Sequence, residues 1–372
     1  MQDLGIGLIG TGFMGKTHAL AFAAVKATML DVPTPRLEIV CEHDLQHAQD
    51  KAEQFGFARA TDDWRALVND PRVDIVSITT PNHLHYQMAL EAIAAGKHVY
   101  CEKPLSLTLE QAQKMAEAAK AAKVKTMVGY NYIKNPAVQH AKALIDQGVI
   151  GDVVHFRGWV DEDYQADPDL PWSWRAKVSD AGLGALGDLG CHLVSMAYTV
   201  VGPIDRLSAD MQTIHKTRPL ADGSGRAEVE NEDTASALVR FANGAAGSIS
   251  TSRSAWGRKN RLTWEAHGSQ GMICFDQERM NELQVYRNTG EAGLQGFQTI
   301  LTGPEHAPYG NFCPASGHQL GFNDLKVIEA AAFLNDIAGG ASAYPNFSDA
   351  VEFEKVIHAI ADSAKTGVWV TV

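Results

Sequence analysis

The first third of the sequence predicts an α/β domain built on a parallel β-sheet. Two observations support this. Apolar runs of four to six residues alternate with helical patterns, and a GxGxxG motif at residues 10–15 directly follows the first run. Because these runs contain few polar residues, we expect helices to cover both faces of the sheet. Further along, segments rich in β-branched and aromatic residues predict strands of a second domain, at 153–160, 235–241, 246–252 and 262–267.

The elements of the first domain follow from apolar patterning and from helix-capping residues. Asp44 is placed to cap one helix, and Thr108, with Gln111 three residues later, forms a predicted capping box. Pro33 and Pro35 exclude a continuing helix, so residues 27–36 are predicted as a loop. Strands are predicted at 4–9, 37–41, 74–79, 98–101 and 124–128, and helices at 16–26, 44–55, 83–95 and from Thr108.

Composition and charge narrow the class of protein. The chain has 372 residues, 45% of them hydrophobic, and a formal net charge of −12, which argues against nucleic acid or an anionic membrane as the main partner. No signal peptide and no apolar run of about 18 residues is evident. The five cysteines form no CxxC pair, so we expect reduced thiols in a cytoplasmic protein.

The GxGxxG motif predicts a dinucleotide site because it follows a strand and opens a helix. In this interpretation Gly10 permits a tight turn, Gly12 lets the backbone approach a pyrophosphate, and Gly15 lets the helix pack closely on the strand. The N–H groups at the start of the helix would then hold the phosphates.

Glu42 follows the second strand, although farther beyond the motif than the roughly 20 residues that are usual. A carboxylate here would accept hydrogen bonds from the two ribose hydroxyls. It would repel a 2′-phosphate by about 4 kcal/mol per charge pair at an effective dielectric constant of about 20. NAD is therefore favoured, while His43, if protonated, would offset part of the repulsion and keeps NADP open. The alternative is that Glu42 is a solvated strand end.

Two more loops leave the carboxyl ends of predicted strands, where ligands of parallel sheets bind. One carries Thr80-Pro81-Asn82, and the other carries Glu102-Lys103-Pro104, where the Lys103–Pro104 bond is a candidate cis peptide. Lys103 would deliver an ammonium group to the ligand side, unless the strand is simply leaving the core for solvent. The predicted cofactor contacts are Gly10, Thr11, Gly12, Phe13, Met14, Gly15, Glu42, Thr80, Pro81, Asn82, His85, Glu102 and Lys103.

The HxH formed by His83 and His85 is not interpreted as a metal site. Residues two apart on a helix do not share a face, and no third ligand is nearby in the sequence. We therefore predict that the protein holds no metal.

Several segments together resemble the Gfo/Idh/MocA oxidoreductases, which are NAD(P)-dependent dehydrogenases of sugars, inositols and related polyols. The resemblance runs nearly end to end. Within the family, "ADPDLPWSWR" and "VEFEKVIHAI" are most similar to levoglucosan dehydrogenase-like and related sugar or inositol enzymes. The segments that carry the family resemblance are "GLIGTGFMGKTHA", "TPNHLH", "AGKHVYCEKPL", "GYNYIKNPAV", "LIDQGVIGDV" and "GALGDLGCHLVSMAYTVVG".

The resemblance implies a nucleotide-binding Rossmann domain, placed at 1–129, and a substrate and oligomerisation domain, placed at 130–372. The second domain is expected to contain a large open, mostly antiparallel sheet that mediates a homodimer or homotetramer. A C-terminal helix at about 346–363 is expected to pack back toward the first domain. The family also usually has an arginine where this chain has Ile133.

The resemblance further implies that Lys103, Asp188 and His192 are catalytic. His192 is the best general base by residue type. Asp188, four residues earlier, would share its helix face and orient the imidazole or bind a substrate hydroxyl. Lys103 would stabilise the alkoxide and take part in the proton relay. Apart from these three, the substrate-contact candidates are Tyr132, Glu162, Asp163, Tyr164, Trp172, Trp174 and Arg175, each with the alternative of a buried aromatic or a solvated charge.

Three functions stay open from the sequence. The first is an NAD-dependent dehydrogenase that oxidises a secondary hydroxyl of a sugar, anhydrosugar or inositol. The second uses the same fold with a retained nicotinamide, for transhydrogenation between sugars or oxidation-assisted glycoside cleavage. The third is a non-catalytic sugar or dinucleotide sensor, which would not need the set of Lys103, Asp188 and His192.

Overall fold

The computed structural model describes residues 3–372, which divide into two compact units. The first is formed by the described residues up to Asn131 with Gly321–Val351, and the second by Tyr132–Leu320 with Glu352–Val372. The helices are α1 (Phe13–Thr28), α2 (Leu45–Phe55), α3 (Trp64–Val68), α4 (Asn82–Ala94), α5 (Leu109–Ala122), α6 (Pro136–Asp146), α7 (Val178–Ala181), α8 (Cys191–Val200), α9 (Phe322–Ile337) and α10 (Phe347–Thr366).

The strands fall into a six-stranded sheet, a nine-stranded sheet and a two-stranded ribbon. They are β1 (Leu4–Ile9), β2 (Pro35–Cys41), β3 (Arg59–Thr61), β4 (Ile75–Ile78), β5 (His98–Cys101), β6 (Thr126–Val128), β7 (Val153–Asp161), β8 (Ile204–Gln212), β9 (Thr217–Pro219), β10 (Arg226–Glu228), β11 (Thr234–Phe241), β12 (Ala246–Ser252), β13 (Arg261–Gly268), β14 (Gly271–Asp276), β15 (Glu282–Arg287), β16 (Gln298–Leu301) and β17 (Val370–Thr371).

The first unit contains the predicted parallel sheet, in the order β3-β2-β1-β4-β5-β6. All residues of β1, β4 and β6 are buried, as expected of strands covered on both faces. The strand order reverses between β1 and β4, and ligands of such sheets bind outside the carboxyl ends at that point. The fold class is therefore the predicted Rossmann arrangement.

Most element predictions in this unit are confirmed, with local corrections. Asp44 caps α2 by accepting a hydrogen bond from the backbone N–H of His47, and Thr108 does the same for Gln111. The capping box differs from the prediction, because the Gln111 side chain accepts from the N–H of Leu107 instead of Thr108. The predicted loop at 27–36 is shorter, since α1 extends to Thr28 and β2 begins at Pro35. The short elements β3 and α3 are not predicted from the sequence.

The segment Gly321–Val351 belongs to the first unit, whereas the sequence-based division assigned it to the second domain. Its helix α9 packs along α1. At the start of α9 the rings of Phe13 and Phe322 lie 5.7 Å apart. Apolar helix surfaces are buried against whichever partner the fold offers, regardless of distance along the chain.

The second unit contains a large sheet in the order β16-β15-β14-β13-β7-β12-β11-β8-β17. The pair β7 and β12 is parallel, and the other pairs are antiparallel. Burial alternates along β11 and β12, so one face packs on the core of the unit and the other is open. The four predicted strands are all present, and the mostly antiparallel sheet is confirmed.

Within residues 3–372, none of the helices combines the length and the apolar character that a membrane span requires.

Candidate functional site

The glycine turn between β1 and α1 has the geometry that the motif predicts. Gly10 adopts a φ of +91°, which favours glycine, so the chain can turn sharply after β1. A Cβ atom on Gly15 would lie 2.2 Å from the carbonyl oxygen of Gly10, so only glycine lets α1 pack this closely. Gly12 is exposed, and a Cβ atom there would meet nothing within 4 Å. Gly12 is the N-cap of α1, and no side chain caps the first N–H groups of this helix.

Glu42 is tied to this turn and is not a loose strand end. Its Oε1 accepts hydrogen bonds from the backbone N–H and the Oγ1 hydroxyl of Thr11, both at 2.8 Å. Its Oε2 accepts from the backbone N–H of His43 at 3.2 Å. Burial alone would raise the pKa of Glu42, but the hydrogen bonds from Thr11 and His43 outweigh it and hold the pKa below its usual value. A charged carboxylate is thus fixed beside the glycine turn.

The variant Glu42→Gln is expected to shift cofactor preference toward NADPH. It keeps an oxygen for Thr11 but removes the negative charge that opposes a 2′-phosphate. Because Glu42 is only partly buried, we expect the ratio of the NADPH and NADH Kd values to fall about 10- to 100-fold, less than the full pairwise repulsion. Fluorescence titration of both reduced cofactors measures the ratio, and an unchanged ratio would contradict the assigned role.

The loop after β4 is held in place by a buried histidine. His85 lies fully buried on α4, with Nδ1 3.0 Å from the carbonyl oxygen of Pro104 and Nε2 3.0 Å from that of Thr80. The sequence placed His85 among the cofactor contacts. The structure instead uses its ring to join the loops that follow β4 and β5. Asn82 is the first residue of α4, and Pro81 is its cap.

Lys103 follows β5, and its bond to Pro104 is cis, as anticipated. The preceding residue, Glu102, is buried and only 4% exposed, although it was predicted to contact the cofactor. Its carboxylate belongs to a group that we call the Glu102 cluster, which includes charged and polar side chains from β4, β5, α1 and α9. The members of the cluster are His18, Ser77, Tyr100, Glu102, Lys326 and Glu329.

His18 makes the stability of this unit dependent on pH. Burial, and then the nearby charge of Lys326, lower the pKa of His18 to about 4, against 6.5 as its ordinary value. The unfolded chain therefore binds a proton between these values while the folded chain does not, so stability is lost as the pH falls. From pH 6.5 to 4 we expect a loss of about 3 kcal/mol in the free energy of unfolding from this residue.

Urea unfolding of the wild type and of His18→Gln at both pH values measures this loss. The glutamine amide keeps a donor for Glu102 but does not titrate, so the variant should lose less stability on acidification. Equal losses in both proteins would show that His18 is not responsible.

The second unit presents Asp188 and His192 on neighbouring turns. Asp188 lies in a π-helical turn, Leu186–Gly190, that continues directly into α8, where His192 is buried and 6% exposed. Residues four apart share one face only in a regular α-helix, and the wider π-helical turn changes the spacing between Asp188 and His192. Asp188 Oδ2 accepts a hydrogen bond from the hydroxyl of Tyr164 at 2.7 Å and lies 3.9 Å from Nε of Arg175.

Three predicted substrate contacts gather around these residues. The Tyr132 ring packs 4.5 Å from the ring of His192, and its hydroxyl donates to Asn260 at 3.2 Å. Arg175 lies with its guanidinium 4.6 Å from the ring of Trp174. Ile133, at the position where the resemblance implied an arginine, is fully buried. The structure thus brings Tyr132 to His192, and Tyr164 and Arg175 to Asp188.

Other candidates have structural partners instead. Asp163 pairs with Lys259 at 2.6 Å and accepts the backbone N–H of Gly257 at 3.0 Å. Trp172 donates its indole N–H to the carbonyl of Glu228 at 2.9 Å. Glu162 is partly buried next to Asp163 at the end of β7. Contact of these residues with a substrate stays a prediction.

A buried polar run that was not among the predicted site residues, Asn231-Glu232-Asp233, shapes this region. Asn231 donates to the carbonyl of Arg175 at 2.8 Å, and Glu232 accepts the N–H of Leu186 at 2.8 Å at the start of the π-helical turn. A Cβ atom on Gly184 would lie 2.0 Å from the carbonyl oxygen of Glu232. The glycine-rich approach to Asp188 therefore accommodates the main chain of Glu232. Three consecutive polar residues before an alternating strand were the available signal.

Two family models match the chain, and together they cover most of it. Residues 4–130 match the oxidoreductase family, NAD-binding Rossmann fold, and residues 138–274 match the GFO/IDH/MocA C-terminal domain. The first match spans the whole six-stranded sheet, and the second spans the strands of the large sheet from β7 to most of β14.

Individual proteins are similar to this chain over most or all of its length. The chain is 41% identical to levoglucosan dehydrogenase from Pseudarthrobacter phenanthrenivorans, over 100% of this chain and 99% of that protein. A solved structure of levoglucosan dehydrogenase in complex with NADH and levoglucosan matches with a TM-score of 0.96 and 42% identity, over 100% of both chains. Myo-inositol 2-dehydrogenase from Thermotoga maritima is 29% identical over 77% of this chain and 80% of that protein.

A Rossmann sheet with an open glycine turn, a mostly antiparallel second sheet and full-length similarity to such dehydrogenases agree with one another. The chain therefore belongs to the Gfo/Idh/MocA family of NAD-binding oxidoreductases.

Proposed function

We propose that this protein oxidises a secondary hydroxyl group of levoglucosan or a closely related anhydrosugar, with hydride transfer to NAD. The observation that carries the proposal is the similarity, over the whole chain, to an enzyme solved with both NADH and levoglucosan. The inositol dehydrogenase relative supports the wider class of polyhydroxylated ring substrates.

The residues of the first unit fit NAD. Gly12 is exposed at the start of α1 and leaves room for phosphates. Because no side chain caps this helix, its first N–H groups can bind them. The carboxylate of Glu42 suits ribose hydroxyls and opposes a 2′-phosphate. When bound, NAD supplies the hydride acceptor. The proposed contacts are Gly10 to Gly15, Glu42 and the loop of Thr80, Pro81 and Asn82.

We assign the proton chemistry to residues of this chain. His192 acts as the general base that takes the hydroxyl proton, because imidazole titrates close to neutral pH as a residue type. The ammonium group of Lys103 stabilises the developing alkoxide. Asp188, oriented by the hydroxyl of Tyr164, accepts a hydrogen bond from a second hydroxyl of the sugar. The ring of Tyr132 packs on His192 and restrains its orientation.

An NAD-reduction screen over levoglucosan, free sugars, inositols and sugar acids tests the proposal. We expect steady formation of NADH with levoglucosan or a near relative, and slower formation with NADP. A burst of reduction limited to one turnover would favour the retained-nicotinamide reactions, namely transhydrogenation or glycoside cleavage. A silent panel with both cofactors, together with measurable sugar binding, would favour the sensor.

We also propose that the protein forms a homodimer or homotetramer through the open face of the second sheet. The support for this proposal is the family resemblance, and Leu238, on β11, is an apolar residue 59% exposed on that face. Analytical ultracentrifugation is expected to show a dimer or tetramer at micromolar concentration, and a monomer would contradict this. All five cysteines are thiols, which supports a cytoplasmic location.

A further inference from the structure

The Glu102 cluster places three buried ionisable side chains, those of Glu102, Lys326 and Glu329, beside the turn that bears Lys103 and its proposed alkoxide-stabilising ammonium. Lys326, on α9, is fully buried, and its Nζ lies 2.6 Å from Oε1 of Glu102 and 2.7 Å from Oε2 of Glu329. The Lys326 ammonium also lies 3.3 Å from the hydroxyl of Tyr100. The neighbours of Lys326 along α9, Leu325, Val327 and Ile328, are buried and apolar.

Glu102 uses its two oxygens for different purposes. Oε1 accepts from Lys326 at 2.6 Å and lies 2.8 Å from Nε2 of His18. Oε2 accepts the backbone N–H of Lys103 at 3.2 Å. A chain of direct contacts therefore runs from the Lys326 ammonium, through one carboxylate, to the main chain of Lys103.

The carboxylate has little freedom to move. A Cβ atom on Gly129 would lie 2.4 Å from Oε1 of Glu102, so the carboxylate rests against the main chain at the end of β6. The His18 ring is fixed from its other side, where Nδ1 lies 2.7 Å from the hydroxyl of Ser77. Burial alone would raise the pKa of Glu102, but Lys326 and His18 outweigh it and hold the pKa well below its usual range.

Stability alone does not explain this arrangement. A buried ion pair costs so much desolvation that well-packed apolar residues of similar volume are often at least as stable. In some proteins a buried polar or charged group instead serves to fix one geometry. The element whose geometry it defines here is the turn Glu102-Lys103-Pro104.

We propose that Lys326 is a positioning residue for the oxidation. By fixing the Glu102 carboxylate, it fixes the backbone of Lys103 and so the origin of the side chain that stabilises the alkoxide. This inference rests on the proposed role of Lys103. Lys326 itself acts only through Glu102 and does not touch the reacting atoms.

The variants Lys326→Met and Glu102→Gln, made in the full-length protein, test the inference. Because a misplacement of about 1 Å can cost roughly 100-fold in rate, we expect kcat to fall about 10- to 100-fold in each. The NADH Kd and the KM of the sugar should change less than about threefold, since neither contact with ligand is removed. The double variant should be no slower than the worse single variant, because both act through one contact.

Lys125→Met is the matched control. It breaks another ion pair to α9, between Lys125 and Asp336 at 2.7 Å, that makes no contact with Glu102. We expect its kcat to stay within about twofold of the wild type, because the half-exposed Lys125 and the buried Asp336 do not support the Glu102-Lys103 turn. If Lys326→Met does not bind NADH, Glu102→Gln decides, because it leaves the pair of Lys326 and Glu329 intact.

Hydrogen exchange at the amide of Lys103 provides a readout that does not depend on activity. The amide should be protected in the wild type and exchange at least about tenfold faster in both variants. If the wild type oxidises no sugar, the proposed function fails while exchange still tests the positioning. Variants that bind NADH, retain kcat within twofold and leave this exchange unchanged would overturn the inference.

Discussion

Replacing His192 with alanine is expected to lower kcat 10²- to 10⁴-fold, the usual cost of removing a general base. The hydroxyl proton would then have to leave without a positioned acceptor, while the sugar and the cofactor keep their other contacts. KM should therefore change far less than kcat. Steady-state NADH formation with the best substrate of the screen measures the effect.

Rescue by free imidazole separates a chemical role of His192 from a structural one. The substitution leaves a space beside the ring of Tyr132 that imidazole can enter, and added imidazole should restore part of kcat in His192→Ala. His140→Ala is the control, since His140 packs against His306 at 4.5 Å elsewhere in the second unit. Full activity of His192→Ala would remove His192 from the mechanism.

Replacing Lys103 with methionine is expected to lower kcat about 10²- to 10³-fold, comparable to the loss of one oxyanion-stabilising donor. Methionine keeps most of the length of the side chain but has no charge to offer the alkoxide. The loss should appear in kcat and in kcat/KM alike, because the interaction is made chiefly in the transition state. NADH affinity should be nearly unchanged.

Lys97→Met is the matched control for Lys103→Met. Lys97 lies just before β5, at the opposite end of the same strand, where its Nζ donates to the carbonyls of Asp70 and Val73. Removing these hydrogen bonds should cost about 1–3 kcal/mol of stability and leave kcat within about twofold. If Lys103→Met kept full turnover, the dehydrogenase mechanism assigned here would be wrong.

The strand ends of the first unit could be predicted because they depend on local order. Gly10 and Gly15 are glycines that the turn requires, and Lys103 follows a short apolar run that predicts a buried strand. A parallel sheet then places its loops at one edge, whatever the remaining packing. The sequence was less informative about the helix that bears His192. The π-helical turn at Leu186–Gly190 cannot be recognised from the 3.6-residue periodicity of apolar residues that predicts an α-helix.

The partners of Glu102 could not be predicted in the same way. Lys326 lies 224 positions from Glu102, and a lysine three residues before a glutamate on a helix usually indicates a solvated pair. The signal was present, since Lys326 and Glu329 interrupt an otherwise apolar stretch of α9. Only the docking of α9 on the first unit shows that this pair is buried and that it faces the Glu102-Lys103 turn.

The family resemblance pointed to Asp188 and His192, and the sequence by itself determined the alternation of strands and helices, the nucleotide turn, the carboxylate at Glu42 and the place of Lys103 at a strand end. These follow from backbone conformation and side-chain chemistry within a few residues of each other. The tertiary structure alone decided that Glu102 is buried and supports Lys103, that His85 joins two loops, and that Glu232 anchors the turn of Asp188. Burial and long-range partners depend on which distant segments pack together, and that choice is made by the whole fold.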